Sequence, residues 1–160
     1  MADYKSVATL SATDAAYIAG LIDGEGTVTL SRRHKHDMRQ PVISISNTDL
    51  SFLDYVLRAT KAGKITRKRT SSSKHTPSAA YAISNRQGLC LLRQIEPYLR
   101  TYKKQRAELI LRDYVRLTPR NGKYTSAARA ARTRFEIEVL SVKPNATAMS
   151  RATGHDLAGH

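Results

Sequence analysis

The chain has 160 residues, with 27 Lys+Arg against 13 Asp+Glu and a formal charge of +14. That length suits one domain, and 41% hydrophobic with 25% charged residues is a globular balance that excludes an intrinsically disordered chain. No apolar run approaches the ~20 residues of a membrane span, and a single cysteine, Cys90, excludes an internal disulfide framework or a Cys-rich zinc site and fits a reducing compartment.

Residues 1–12 read as a flexible leader with no secretory pattern. Thr13 or Asp14 is placed to cap a helix that ends near Gly24 or Gly26. Polar and apolar residues then alternate over 27–31, a strand with Val28 and Leu30 inward, followed by a basic loop over 32–39. A second strand over 40–46 carries Ile43 and Ile45 on one face, with Pro41 tolerable near its start. Asn47, Thr48 and Asp49 open a helix that closes around residues 61–63, and 64–70 and 80–84 read as two more strands joined by a flexible loop. A helix from about Gln87 stops at Pro97, another spans about 101–117, and a last one spans about 126–142 and includes Phe135, Val139 and Leu140. Residues 143–160 are small and polar and read as a flexible tail, leaving one domain over 13–142.

Two hairpins separated by a helix predict an α+β fold: a mostly antiparallel four-stranded sheet with helices on one face. The period of two then sends Thr29, Ser31, Arg33, Gln40, Ser44, Lys64, Thr66 and Lys68 to the other face, with few large apolar groups among them. Charge follows the same geography. Residues 32–74 hold eleven Lys/Arg and three acids, residues 100–134 hold eleven and two, and the remainder is net negative. A surface so concentrated suits a polyanion, and a two-stranded ribbon is thin enough for the major groove of duplex DNA. His34 and His36 have no Cys nearby and a single neighbouring acid, Asp37, and read as part of a DNA-facing loop rather than a zinc site.

The first helix carries the most informative stretch. Ala16, Gly20 and Gly24 recur every fourth residue, a stripe of small side chains over which a second helix can pack closely. Asp23 and Glu25 sit at the helix's C-terminal end, where carboxylates oppose the dipole but suit a hard divalent cation. Residues 18–26, Ile-Ala-Gly-Leu-Ile-Asp-Gly-Glu-Gly, resemble the LAGLIDADG signature, matching at Ala19, Gly20, Leu21, Ile22, Asp23 and Gly26. The order of elements over about 13–142, and Pro97-Tyr98-Leu99 followed by Lys103-Lys104-Gln105, are similar to single-motif, homodimeric LAGLIDADG homing endonucleases.

The resemblance implies a homodimer whose first helices meet along Ala16, Ala19, Gly20, Asp23 and Gly24. It implies that Glu25 and the Gly24 carbonyl hold Mg²⁺, or another divalent cation such as Mn²⁺, and that the dimer cuts both strands of a long pseudo-palindromic DNA target to mobilise an intron or intein. Glu25 is the essential carboxylate in this scheme, although for Asp23 a structural hydrogen bond is the favoured role. Asn47 falls where the family orders the attacking water, yet its sequence context is equally that of a helix cap. Lys103 falls where the family places a basic residue near the scissile phosphate, with Lys104 as competitor because the spacing from Pro97 is one residue longer than in some relatives; a further family arginine has no counterpart near residues 50–52. The same scaffold also serves RNA-binding splicing maturases and inactive DNA-binding proteins, so RNA is a secondary partner. The expected setting is a prokaryotic cytoplasm or an organelle, with no membrane association.

Overall fold

A computed structural model describes residues 6–68 and 76–146. Its elements, in chain order, are α1 (Ala12–Glu25), β1 (Gly26–Ser31), β2 (Gln40–Asn47), α2 (Leu50–Thr60), β3 (Lys64–Arg67), β4 (Ala79–Ser84), α3 (Asn85–Ile95), a 3₁₀ turn (Glu96–Tyr98), α4 (Tyr102–Asp113) and α5 (Ser126–Ser141). The strands form one antiparallel sheet in the order β1-β2-β4-β3, so the two hairpins join through β2 and β4. This is the α+β arrangement read from the sequence. No described helix is long and apolar enough to cross a membrane.

The core lies between one sheet face and the helices. Val28, Leu30, Ile43, Ile45, Tyr81 and Ile83 point into it and meet Ile18 and Ile22 of α1, Leu53 and Val56 of α2, and Leu91, Leu92 and Ile95 of α3. Tyr81 brings its hydroxyl in with it, donating to the Ala62 carbonyl at 2.9 Å with the Thr60 hydroxyl at 3.0 Å, so burial leaves no polar atom unpaired there.

Several boundaries move. Ser11, rather than Thr13 or Asp14, caps α1, its hydroxyl accepting from the Asp14 N–H at 3.1 Å. The leader is tied down over part of its length: Ala8 N–H donates to the Thr60 carbonyl, and Gln94 bridges Leu10 N–H and the Ala8 carbonyl. Asp49, rather than Asn47, caps α2. Helix α4 stops at Asp113, whose carboxylate accepts from Arg112 and Arg116. The end of the third predicted strand (69–70), most of its following loop and most of the predicted tail lie outside the described residues.

The tightest approach between helix and sheet is at Gly26. A Cβ there would lie 2.7 Å from Ile22 Cα and 2.9 Å from the Ser44 carbonyl oxygen, so no other residue fits without moving backbone. Gly26→Ala is expected to destabilise the fold by about 1–3 kcal/mol, the usual scale of overpacking, read as a lowered urea midpoint.

Candidate active site and nucleic-acid interface

Helix α1 divides its residues between two sides. Ala15, Ile18, Ala19 and Ile22 enter the core, while Ala16, Gly20 and Gly24 are exposed. Ala19, which the resemblance places where the first helices would meet, instead follows Ala15 inward at 100° per residue and is fully buried in the protomer's own core. Around Gly20 and Gly24 a Cβ would meet nothing within 4 Å. Among the described residues, nothing requires glycine at those two positions.

The C-terminal end of α1 is closed by residues from far along the chain. The Asp23 carboxylate accepts from the Arg100 N–H at 2.7 Å, the Thr101 N–H at 3.2 Å and the Thr101 hydroxyl at 2.5 Å. It fastens the start of α4 to the end of α1. Lys103, on the first turn of α4, donates from Nζ to the Ile22 carbonyl at 2.7 Å and the Asp23 carbonyl at 2.8 Å. α1 has no basic residue in its own last turn, so Lys103 is the cation that answers its dipole. Only 7% of Lys103 is exposed. Burial pushes its pKa below the ordinary lysine value; the Asp23 charge opposes this, Arg106 adds to it, and Glu25 opposes it. Lys104 turns elsewhere, its Nζ 3.4 Å from both the carbonyl and the Oε1 of Glu96. Of the two lysines left open by the sequence, Lys103 is the one at the motif.

Glu25, the last residue of α1, is exposed and carries no hydrogen bond or ion pair among the described residues. Gly26 pairs with Ile45, so Glu25 and Asn47 leave the sheet at the same end. Asn47 Oδ1 accepts from the Asp49 N–H at 2.8 Å, a local turn that sets the chain up for α2. Arg106, 7% exposed, secures the other flank: Nη1 donates to the Val28 carbonyl on edge strand β1 at 3.1 Å, and Nε and Nη2 to the Val142 carbonyl at 3.0 and 2.8 Å. Among the described residues no group of three or more His, Cys, Asp or Glu converges. The Glu25 carboxylate and Gly24 carbonyl are oxygen donors of the type a hard cation takes, but one protomer brings too few of them to fill its coordination.

The register aligns the outward residues in rows. Thr27, Ser44, Ala82 and Lys64 cross the sheet in one, and Ser46, Ala80 and Thr66 form another. Thr29 stands beside Val42, and Ser31 beside Gln40. Small residues occupy the middle of this face and Lys64 its rim, so the sheet presents a shallow trough of hydrogen-bonding groups. Arg33 and Lys68 lie just beyond strand ends, both exposed.

A buried ionic cluster escaped the sequence reading. Arg132 is 1% exposed and Glu136 5%. Glu136 Oε1 accepts from the Arg39 N–H at 2.9 Å, while Arg132 Nη2 donates to the Arg39 carbonyl at 2.5 Å. The Arg132 guanidinium also stacks 4.5 Å from the Tyr114 ring centre, and its Nε lies 3.8 Å from Glu136 Oε1. Both amide groups of Arg39, the residue before β2, are thus held by α5. The signal was present: Arg132 and Glu136 share the helical stripe of Phe135 and Val139.

The chain is an α-β-β-α-β-β-α core with glycines exposed along its first helix and the core helices gathered on one face of its sheet. Matching the sequence to family models adds the specific assignment: residues 12–112 match the LAGLIDADG-like domain. The chain belongs to that family. No curated protein sequence matches it. Among solved structures, it is similar to the homing endonuclease I-CvuI in complex with its target, at 15% identity over 82% of this chain and 83% of that one, with a TM-score of 0.66. The archaeal intron-encoded homing endonuclease I-Vdi141I, complexed with DNA, matches at 14% identity over 82% and 84% of the two chains, TM-score 0.54. The LAGLIDADG homing endonuclease I-GzeII, in complex with a DNA target, matches at 15% identity and TM-score 0.60, over 95% of this chain but 52% of its own. The fold is that of the LAGLIDADG homing endonucleases.

Proposed function

We propose that the chain is a site-specific DNA endonuclease of the homing type, acting as a homodimer on a pseudo-palindromic duplex and dependent on Mg²⁺ or Mn²⁺. The observation that carries this reading is the end of α1. A bare stripe of Ala16, Gly20 and Gly24 leads to an unpaired carboxylate on Glu25, with the Lys103 ammonium anchored beside it. Two such helices packed along the stripe would bring the two Glu25 carboxylates together and supply the donors one protomer lacks. The coverage of I-GzeII supports the same stoichiometry, since this chain spans about half of that longer protein.

Within that dimer the trough would seat the DNA, with Thr29, Ser31, Gln40, Ser44 and Thr66 against base edges and Arg33, Lys64 and Lys68 against phosphates. Glu25 and the Gly24 carbonyl would hold the cation, whose chemistry is to lower the pKa of the attacking water and to stabilise charge on the phosphoryl group. Lys103 Nζ, already fixed by two carbonyls, offsets charge developing at the phosphate without having to reorganise. Asn47, at the same end of the sheet, would order the water. The reaction is hydrolysis of one phosphodiester in each strand.

The reading is tested with a plasmid carrying the uninterrupted locus at which the coding element inserts. Linearisation that requires Mg²⁺ or Mn²⁺ and stops with EDTA is the expected result; binding to that duplex with no scission under any divalent cation would leave a DNA-binding protein only. Lys103→Met is expected to slow cutting by about 10²–10³-fold, the scale of losing one preorganised donor. Lys104→Met should change it only a few-fold. Single-turnover cleavage of the two variants separates the lysines.

A further inference from the structure

The trough draws its cations, Arg33, Lys64 and Lys68, from one of the two basic segments. In the other, residues 100–134, most cations are already engaged. Lys103, Arg106 and Arg132 are buried on carbonyl oxygens, Lys104 faces Glu96, and Arg112 and Arg116 share Asp113. Arg120, Lys123 and Arg129 are exposed and have no carboxylate partner among the described residues, and all three lie between α4 and the first turns of α5. This connection faces the β1–β2 loop across an open polar cavity of about 310 Å³. Arg33, His36 and Gln40 line it from the loop side, Tyr124 and Arg129 from the other. Asp37 also lines it, its carboxylate accepting from the His34 N–H at 3.2 Å. Gln40 is the outward partner of Ser31, so the cavity opens where the trough ends.

We propose that this cavity seats a backbone phosphate of duplex DNA flanking the stretch read by the sheet. The proposal rests on DNA being the partner, and it adds a contact element outside the sheet. Two guanidinium groups face one carboxylate, with an imidazole, a phenol hydroxyl and an amide as further donors, so the lining favours an anion and offers fork-shaped recognition of phosphate oxygens. The Arg129 guanidinium lies 5.9 Å from the Tyr124 ring centre, which steadies it at the cavity wall. Such a contact would be indifferent to base sequence, because phosphates carry none. It would extend the footprint outward at both ends of a two-fold target.

The test uses the full chain, the locus duplex described above, and the same duplex trimmed at both ends to the stretch covered by the sheet. Arg129→Ala is an exposed change outside the trough and the α1 site. On the long duplex it is expected to lower the slope of log Kd against log salt by about 0.9 per protomer, the loss of one phosphate contact. On the trimmed duplex it should equal wild type. Lys64→Ala, on the sheet rim, should weaken both duplexes. Unchanged affinity and slope for Arg129→Ala on the long duplex overturns the phosphate seat, as does an equal loss on both lengths. If wild type itself binds neither duplex, the DNA reading and the seat fall together; if Lys64→Ala weakens binding and Arg129→Ala does not, the seat alone falls.

Discussion

Glu25→Gln should leave a protein that folds, dimerises and binds its duplex, yet cuts at least ~10³-fold more slowly at saturating Mg²⁺. The side chain is exposed and makes no hydrogen bond or ion pair among the described residues, so its replacement by an amide of the same shape removes no contact described there. What disappears is the negative charge that draws in a cation. Mobility-shift assays in Ca²⁺, compared with cleavage in Mg²⁺, separate the two properties. Equal cutting by variant and wild type would remove Glu25 from the chemistry and leave the end of α1 with a structural role only.

The second large effect is expected at Gly20. Nothing lies within 4 Å of a Cβ at this position, so Gly20→Leu should be accepted by the isolated protomer. Removing a mid-helix glycine even favours α1 by up to about 1 kcal/mol. Against a second copy packed on the stripe, the same side chain becomes a wedge. The outcome predicted is a monomer in sedimentation velocity with a thermal midpoint no lower than wild type, and loss of double-strand cutting. Gly20→Leu that remains dimeric and active would mean that the helices do not meet along this side. The contrast with Gly26 is instructive: there the space is filled from within the chain, and the cost falls on folding instead.

Most of the architecture was legible because its signals are local. The period of two assigned Val28, Leu30, Ile43 and Ile45 to the core side without reference to anything distant, and the order of hairpins and helices fixed the class of fold. The ends of elements were less legible. Ser11 caps α1 ahead of two residues of equal capping ability, and only the docking of Ala8 and Leu10 against Thr60 and Gln94 selects it. Ala19 was misplaced because membership in a motif says nothing about direction, whereas its angle from Ala15 does. The choice between Lys103 and Lys104 needed three dimensions, since it depends on which ammonium reaches carbonyls some 80 residues earlier in the chain. The clamp of Arg132 and Glu136 on Arg39 was masked by its chemistry: charged residues in a helix read as solvent-facing unless the stripe they share with Phe135 and Val139 is given priority.

Glu25 closes α1 and Gly26 opens β1 with no residue between them. A helix axis and a strand axis are therefore geared at a single peptide bond, further stiffened by the close approach of Gly26 to Ile22 and Ser44. In the proposed dimer, a tilt imposed on one helix by its neighbour would reach the strand as a change in reach. Substitutions along the stripe that preserve association would then alter the number of base pairs separating the two half-sites, and selection for altered spacing should recover changes at Ala16 and Gly20 rather than on the sheet.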